Sequence, residues 1–123
     1  MTTTFGILFF EGTEELDAIG PWEVFTMASK ERDDIAVVSI SEHGGTVTCN
    51  KGMRIVMDHS IADAPKLDVL LVPGGMGTRT EVDNPALLSW IAEVAKGCQW
   101  VTSVCTGSLL LAEAGPAAGK RIT

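Results

Sequence analysis

The sequence has no metal-binding spacing and no disulfide framework. Its three cysteines, Cys49, Cys98 and Cys105, include no Cys-x-x-Cys pair, and its two histidines, His43 and His59, are not neighbours. Neither Gly-x-x-x-x-Gly-Lys-Ser/Thr nor Gly-x-Gly-x-x-Gly occurs, so the common glycine-rich cradles for nucleotide phosphates are absent. Basic residues are few, 9 against 16 acidic ones, and the net charge of −7 argues against nucleic acid or an anionic membrane as partner, since both need a cationic face. No apolar run approaches the ~20 residues of a membrane span. Met-Thr-Thr-Thr at the start carries no basic region of a signal peptide, so a cytoplasmic location with reduced thiols is the expectation.

What is there is the composition of a globule. With 123 residues, 46% hydrophobic and 20% charged, residues 1–123 are expected to form one domain. A chain of this size buries about 60–70% of its unfolded surface, enough for a core without cross-links.

Phe5–Phe10, Ile35–Ile40, Leu67–Val72 and Trp100–Val104 are short apolar runs, the pattern of strands covered on both faces. Between them lie helical patterns. Glu14 to about Ser29 carries Leu16, Ile19, Val24 and Met27 at helical spacing, with a break or kink expected at Gly20-Pro21. Pro85 to about Lys96 follows a capping Asp83-Asn84 and stops at Gly97. Leu109–Ala114 ends at Gly115-Pro116. Thr46–Cys49 and Arg54–Met57 read as a hairpin around Asn50-Lys51-Gly52, set at an edge of the sheet, and 58–66 as polar loop. Gly119–Thr123 reads as a turn entering a strand. Alternating strands and helices predict an α/β fold, a doubly wound, mostly parallel sheet with helices on both faces.

Such sheets bind ligands at the carboxyl ends of their strands, where three segments carry chemistry. Cys105 passes from a strand directly into a helix, the sharp turn that a nucleophile elbow makes, and the helix start favours a thiolate there. The alternative is a buried structural thiol. Gly74 and Gly75 admit a close backbone approach and offer amides for an oxyanion hole together with that of Thr106; alone, they mark a tight turn. Asp17, among Leu16, Ala18 and Ile19, is either a solvated helix-start acid or a carboxyl facing a partly dry pocket. Glu14 and Glu15 read as solvated residues favouring the helix start, Cys49 and Cys98 as packing thiols, and both histidines as surface residues. Ile19, Trp22, Gly74 and Met76 are candidate pocket residues, with core packing the alternative for the apolar ones.

Together, Gly-Thr-Glu-Glu-Leu-Asp-Ala-Ile-Gly-Pro (12–21), Val-Pro-Gly-Gly (72–75) and Thr-Ser-Val-Cys-Thr-Gly-Ser-Leu-Leu-Leu-Ala-Glu-Ala-Gly (102–115) resemble the ThiJ/PfpI superfamily, with its flavodoxin-like, class I glutamine amidotransferase-like fold. Cys-Thr-Gly at the elbow and Asp17 followed by Gly20-Pro21 look most like its isonitrile (isocyanide) hydratase members. The resemblance implies a lyase that hydrates an isonitrile to an N-substituted formamide through a covalent thioimidate. It makes Cys105 the nucleophile, Asp17 the acid beside it, Thr106 a residue needed for activity, and Gly75 and Thr106 backbone donors of the oxyanion hole. It implies a small-molecule substrate, no metal or organic cofactor, and a homodimer. Two other outcomes belong to the same superfamily: the amidotransferase-like sensor domain of an AraC-type transcriptional regulator, and a glyoxalase-like or deglycase-like enzyme. Asp17 and the missing neighbouring histidine count against the latter. Superfamily members run further, so the chain is expected to be the N-terminal portion of the usual domain, truncated or completed by another polypeptide.

Overall fold

The fold is that of a computed structural model of the chain, which describes residues 1–122. In chain order the elements are β1 Thr3–Leu8, α1 Glu15–Glu31, β2 Ile35–Ser41, β3 Thr46–Thr48, β4 Arg54–Val56, β5 His59–Ser60, β6 Val69–Val72, α2 Thr78–Glu81, α3 Pro85–Ala95, β7 Trp100–Ser103 and α4 Gly107–Ala114. Five strands form one sheet in the order β5-β2-β1-β6-β7, and every pairing in it is parallel.

Side chains of successive strand residues point to opposite faces, and this alternation divides the core in two. Leu8, Ile40, Leu70 and Val72 pack with Leu87 and Ile91 of α3 and with Leu110 and Leu111 of α4. Ile7 and Leu71 instead join Phe9, Ala18 of α1 and Val47, Cys49 and Met57 of the hairpin region. Helices therefore cover both faces, and the expected doubly wound α/β sheet is the observed one.

Several local expectations change. α1 is continuous through Gly20-Pro21 rather than broken there. Pro21 removes the amide that would bond the Asp17 carbonyl, yet Ala18 on one side and Phe25 on the other both pack on the sheet, with the Phe25 ring centroid 4.5 Å from that of Phe5. The apolar stripe expected of this helix is largely in solvent: Leu16 is 74% and Val24 64% exposed. The hairpin, β3 antiparallel to β4, forms its own small sheet instead of an edge of the main one. It is tied to the loop after β1 by the bonds Gly12 N–H to Thr48 O (3.0 Å) and Asn50 N–H to Thr13 O (2.7 Å). The edge strand beside β2 is β5, within the stretch expected as loop, and β7 is the other edge. β1 ends at Leu8: Phe9 N–H still makes the ladder bond to Ile40 O of β2, but Phe10 N–H turns to the buried Thr13 hydroxyl. Gly119 makes a turn at φ 74°, but residues 119–122 form no strand; Thr123 lies outside the described residues.

α3 is capped as its sequence predicts. The Asn84 side chain accepts from Leu87 N–H, and Pro85 opens the helix.

Candidate active site

The strand order reverses between β1 and β6, the place where open parallel sheets hold their ligands. The loops leaving β1 and β6 meet there, and the turn from β7 into α4 lies beside them. Glu14 N–H donates to Gly74 O at 2.9 Å, and Val104 N–H to Val72 O at 3.0 Å.

Cys105 occupies the turn. Among the described residues it is the non-glycine residue with positive φ, 52°. The left-handed region costs an L-residue with a side chain about 1 kcal/mol or more, and it persists because both flanks are fixed. On one side Val104 is bonded to β6. On the other, Gly107 N–H donates to Val104 O at 3.0 Å, and Gly107 lies so close to the Val72 and Pro73 carbonyls that no side chain fits. The result is an exposed thiol at the amino end of α4, where the helix dipole is positive. Ser103, Cys105, Thr106, Ser108 and Leu109 line a cavity of about 400 Å³ around it.

Gly74 is where the predicted residues come together. Its amide donates to Asp17 Oδ2 at 3.1 Å. A Cβ placed on it would lie 2.6 Å from the Thr106 nitrogen, 2.7 Å from Thr106 Oγ1 and 2.9 Å from Asp17 Oδ2. Asp17 and Thr106 thus both close on Gly74, and Cys105 directly precedes Thr106 in the chain. Gly75 departs from expectation. At φ 122° its amide turns to the Thr106 hydroxyl, 3.1 Å away, and is therefore engaged within the protein instead of open to a ligand. The Gly74 amide is likewise held by Asp17.

The pocket residues are not brought together. Ile19 and Trp22 line a different cavity of about 280 Å³, with Phe9, Met53, Ile55 and Asp58, which shares no residue with the one at Cys105. They flank the hairpin because α1 turns that face towards it. Met76 is 62% exposed and lines neither cavity.

Cys49 is buried, and burial together with the charges of Glu15, Glu11 and Glu14 pushes its thiol pKa up. Burial, with a smaller effect of Asp68, does the same at Cys98, whose Sγ lies 3.5 Å from Leu67 O. Both are packing thiols. His43 pairs with Glu42, and His59, in β5, with Asp63; neither lines the Cys105 cavity. Glu15 is not simply solvated. Burial opposes its ionisation, but amides of Glu15, Lys51 and Met53 and the Lys51 ammonium outweigh that and hold the carboxyl below its ordinary value. It accepts from Lys51 N–H at 2.8 Å and so ties α1 to the hairpin, while Glu14 pairs with the Lys51 ammonium.

One contributor has no signature in the sequence. Thr78, fully buried at the start of α2, donates its hydroxyl to Gly75 O at 2.8 Å and lies 3.3 Å from Thr106 Oγ1. Among the described residues no helix is long and apolar enough to cross a membrane, and no group of three or more His, Cys, Asp or Glu side chains is placed to hold a metal ion.

A parallel sheet with a cysteine elbow at its switch point defines a class, and residues 5–123 match the model of the DJ-1/PfpI family. The chain belongs to that family. It is 35% identical, over its full length, to an isonitrile hydratase of Pseudomonas putida, covering 52% of that protein. It is 28% identical to the HTH-type transcriptional regulator CdhR of Pseudomonas aeruginosa, covering 37% of it. Among solved structures, a ThiJ/PfpI family protein from Pseudomonas syringae superposes with a TM-score of 0.83 at 27% identity, over 94% of this chain and 47% of that one. The chain thus spans about half the length of the hydratase and of the syringae protein.

Proposed function

We propose that the chain carries the catalytic groups of a cysteine-dependent isonitrile hydratase. What carries the reading is the convergence of Asp17 and Thr106 on Gly74, with Thr106 next to the strained Cys105, in a chain 35% identical to such an enzyme. Cys105 Sγ attacks the terminal carbon of the isonitrile and forms the C–S bond of a thioimidate. The thiol proton passes to Asp17 and on to the same carbon, giving R–N=CH–S–Cys105, which contains isonitrile and thiol with nothing lost. The Gly74 amide holds Oδ2 of Asp17, which leaves Oδ1 as the proton carrier. Water then adds to the carbon, the C–S bond breaks, nitrogen and sulfur each retain a proton, and the N-substituted formamide leaves. The Thr106 amide is the donor for the oxygen charge that develops in that collapse. Every step is redox-neutral, with the protons of the product coming from the thiol and from water.

The reading includes a homodimer. Supporting it are large apolar side chains in solvent, Leu16, Val24 and Met27 on α1 and Met53 and Val56 in and beside the hairpin. A second reading, favoured by the 28% identity to CdhR, is a sensor domain that binds a small molecule without converting it.

The test is to assay an alkyl or aryl isonitrile and methylglyoxal side by side with the wild-type chain and Cys105→Ala. Formamide from the wild type and none from the variant is expected. Turnover retained by Cys105→Ala would sink the mechanism. Conversion of methylglyoxal alone indicates the glyoxalase-like activity, and binding without turnover indicates the sensor.

A further inference from the structure

We infer that Thr78 is a positioning residue for Cys105, acting through Gly75 and Thr106. This rests on Cys105 being the nucleophile, but not on the identity of its substrate.

Thr78 does not line the cavity in front of Cys105, and its side chain is fully buried. A buried hydroxyl must find a partner, and this one finds the Gly75 carbonyl at 2.8 Å, where the Thr78 amide (3.1 Å) and Arg79 Nη1 (3.3 Å) also converge. Those donors fix the peptide plane that follows Gly75. With the Gly75 carbonyl fixed and φ at 122°, its amide is aimed at Thr106 Oγ1. That hydroxyl is a second anchor point for Thr78, 3.3 Å away, and lies 3.4 Å from the Gly75 carbonyl. Three oxygens therefore lie within 3.4 Å of one another, Thr78 Oγ1, Gly75 O and Thr106 Oγ1, and Arg79 Nη1 also donates to the first at 3.1 Å.

The consequence falls on the elbow. The backbone of Thr106 follows directly on the strained Cys105 peptide, so the rotamer and position of Thr106 limit how far Cys105 can relax from φ 52°. Without the Thr78 hydroxyl, the Gly75 carbonyl keeps its amide partner but loses its shortest bond, and Thr106 Oγ1 loses one of its three hydrogen-bond neighbours. The loop after β6 and the start of α4 are then coupled more loosely, and the thiol samples more orientations.

The experiment follows carbamidomethylation of each cysteine by iodoacetamide, resolved by peptide mass spectrometry across pH, in the wild type, Thr78→Val, Thr78→Ser, Thr106→Val and the Thr78→Val/Thr106→Val pair. Val keeps the shape of Thr without its hydroxyl; Ser keeps the hydroxyl. Cys49, buried, and Cys98, half-buried, report unfolding within the same sample. A hydrogen bond of this kind predicts a three- to tenfold change (about that range) in the Cys105 rate for Thr78→Val, with Cys49 and Cys98 still protected. Thr78→Ser is expected to restore the rate, and Thr78→Val to add nothing once Thr106 is already Val. Rates within twofold for the Val and Ser variants, effects that simply add in the pair, or a loss that tracks exposure of Cys49 would each overturn the assignment. Because no isonitrile is used, a chain that makes no formamide still gives a decisive answer.

Discussion

Replacing Gly74 by Ala tests whether Asp17, the glycine loop and the start of α4 meet as tightly as the site requires. The added methyl would lie 2.6 Å from the Thr106 nitrogen, 2.7 Å from Thr106 Oγ1 and 2.9 Å from Asp17 Oδ2, all well inside contact distance. The first is backbone at the amino end of α4 and cannot swing aside. Overpacking of this sort costs about 1–3 kcal/mol, and weakening the amide-to-carboxylate bond of 3.1 Å costs about 1.5–3 kcal/mol. One displacement causes both losses, so they overlap, and about 2–4 kcal/mol is the expected total. For a domain of this size that is a fall in Tm of roughly 10 °C. Gly97→Ala is the control: its new methyl would meet nothing closer than Val94 O at 3.8 Å, and a change within about 0.5 kcal/mol is expected. Thermal unfolding by circular dichroism gives the stability, and site-resolved alkylation gives the reactivity of Cys105 in the folded state. If Gly74→Ala melted within a degree of the wild type with Cys105 unaltered, the close approach on which the site is built would be refuted.

Other perturbations probe separate parts. Asn84→Ala removes the α3 cap and the Nδ2 bonds to Glu42 and Glu81; a loss of about 1 kcal/mol is expected in urea unfolding, and an unchanged midpoint would deny the cap its role. Glu15 is held below its ordinary 4.5, so the folded state binds fewer protons than the unfolded one around that pH. Its contribution is full above 4.5 and lost as pH falls through the lowered value, so Glu15→Gln should flatten the acid limb of a stability–pH curve and leave its slope near neutrality unchanged. Leu16→Asp places a charge on the exposed apolar face of α1; sedimentation should show a dimer turning to monomer, and a dimer that persists would move the interface elsewhere.

How much of this was legible in the sequence depends on how local the cause is. The strands of the central sheet read directly as apolar runs, since a strand buried on both faces carries its own signal. The Cys105 elbow was legible for the same reason: strand, cysteine and helix are contiguous. α1 misled, because helical spacing of Leu16, Val24 and Met27 shows an apolar face but not what covers it. The Asp17–Gly74 bond joins residues 57 apart, and the Thr78–Thr106 contact residues 28 apart. Such contacts are set by the sheet order, which no local pattern states. The same order carried Ile19 and Trp22 to the hairpin side, away from Cys105. The conformation of Gly75 decided that its amide serves Thr106, a choice invisible in the pair Gly-Gly itself.

The central claim, that Cys105 forms a covalent bond to an isonitrile, is tested most directly by intact-mass and peptide mass spectrometry of the chain mixed with an aryl isonitrile and quenched during turnover. The expected result is a mass increase equal to one whole isonitrile, located on Cys105, which decays as formamide appears and is absent from Cys105→Ala. Formamide produced with no adduct on Cys105, or by the Cys105→Ala chain, would contradict it.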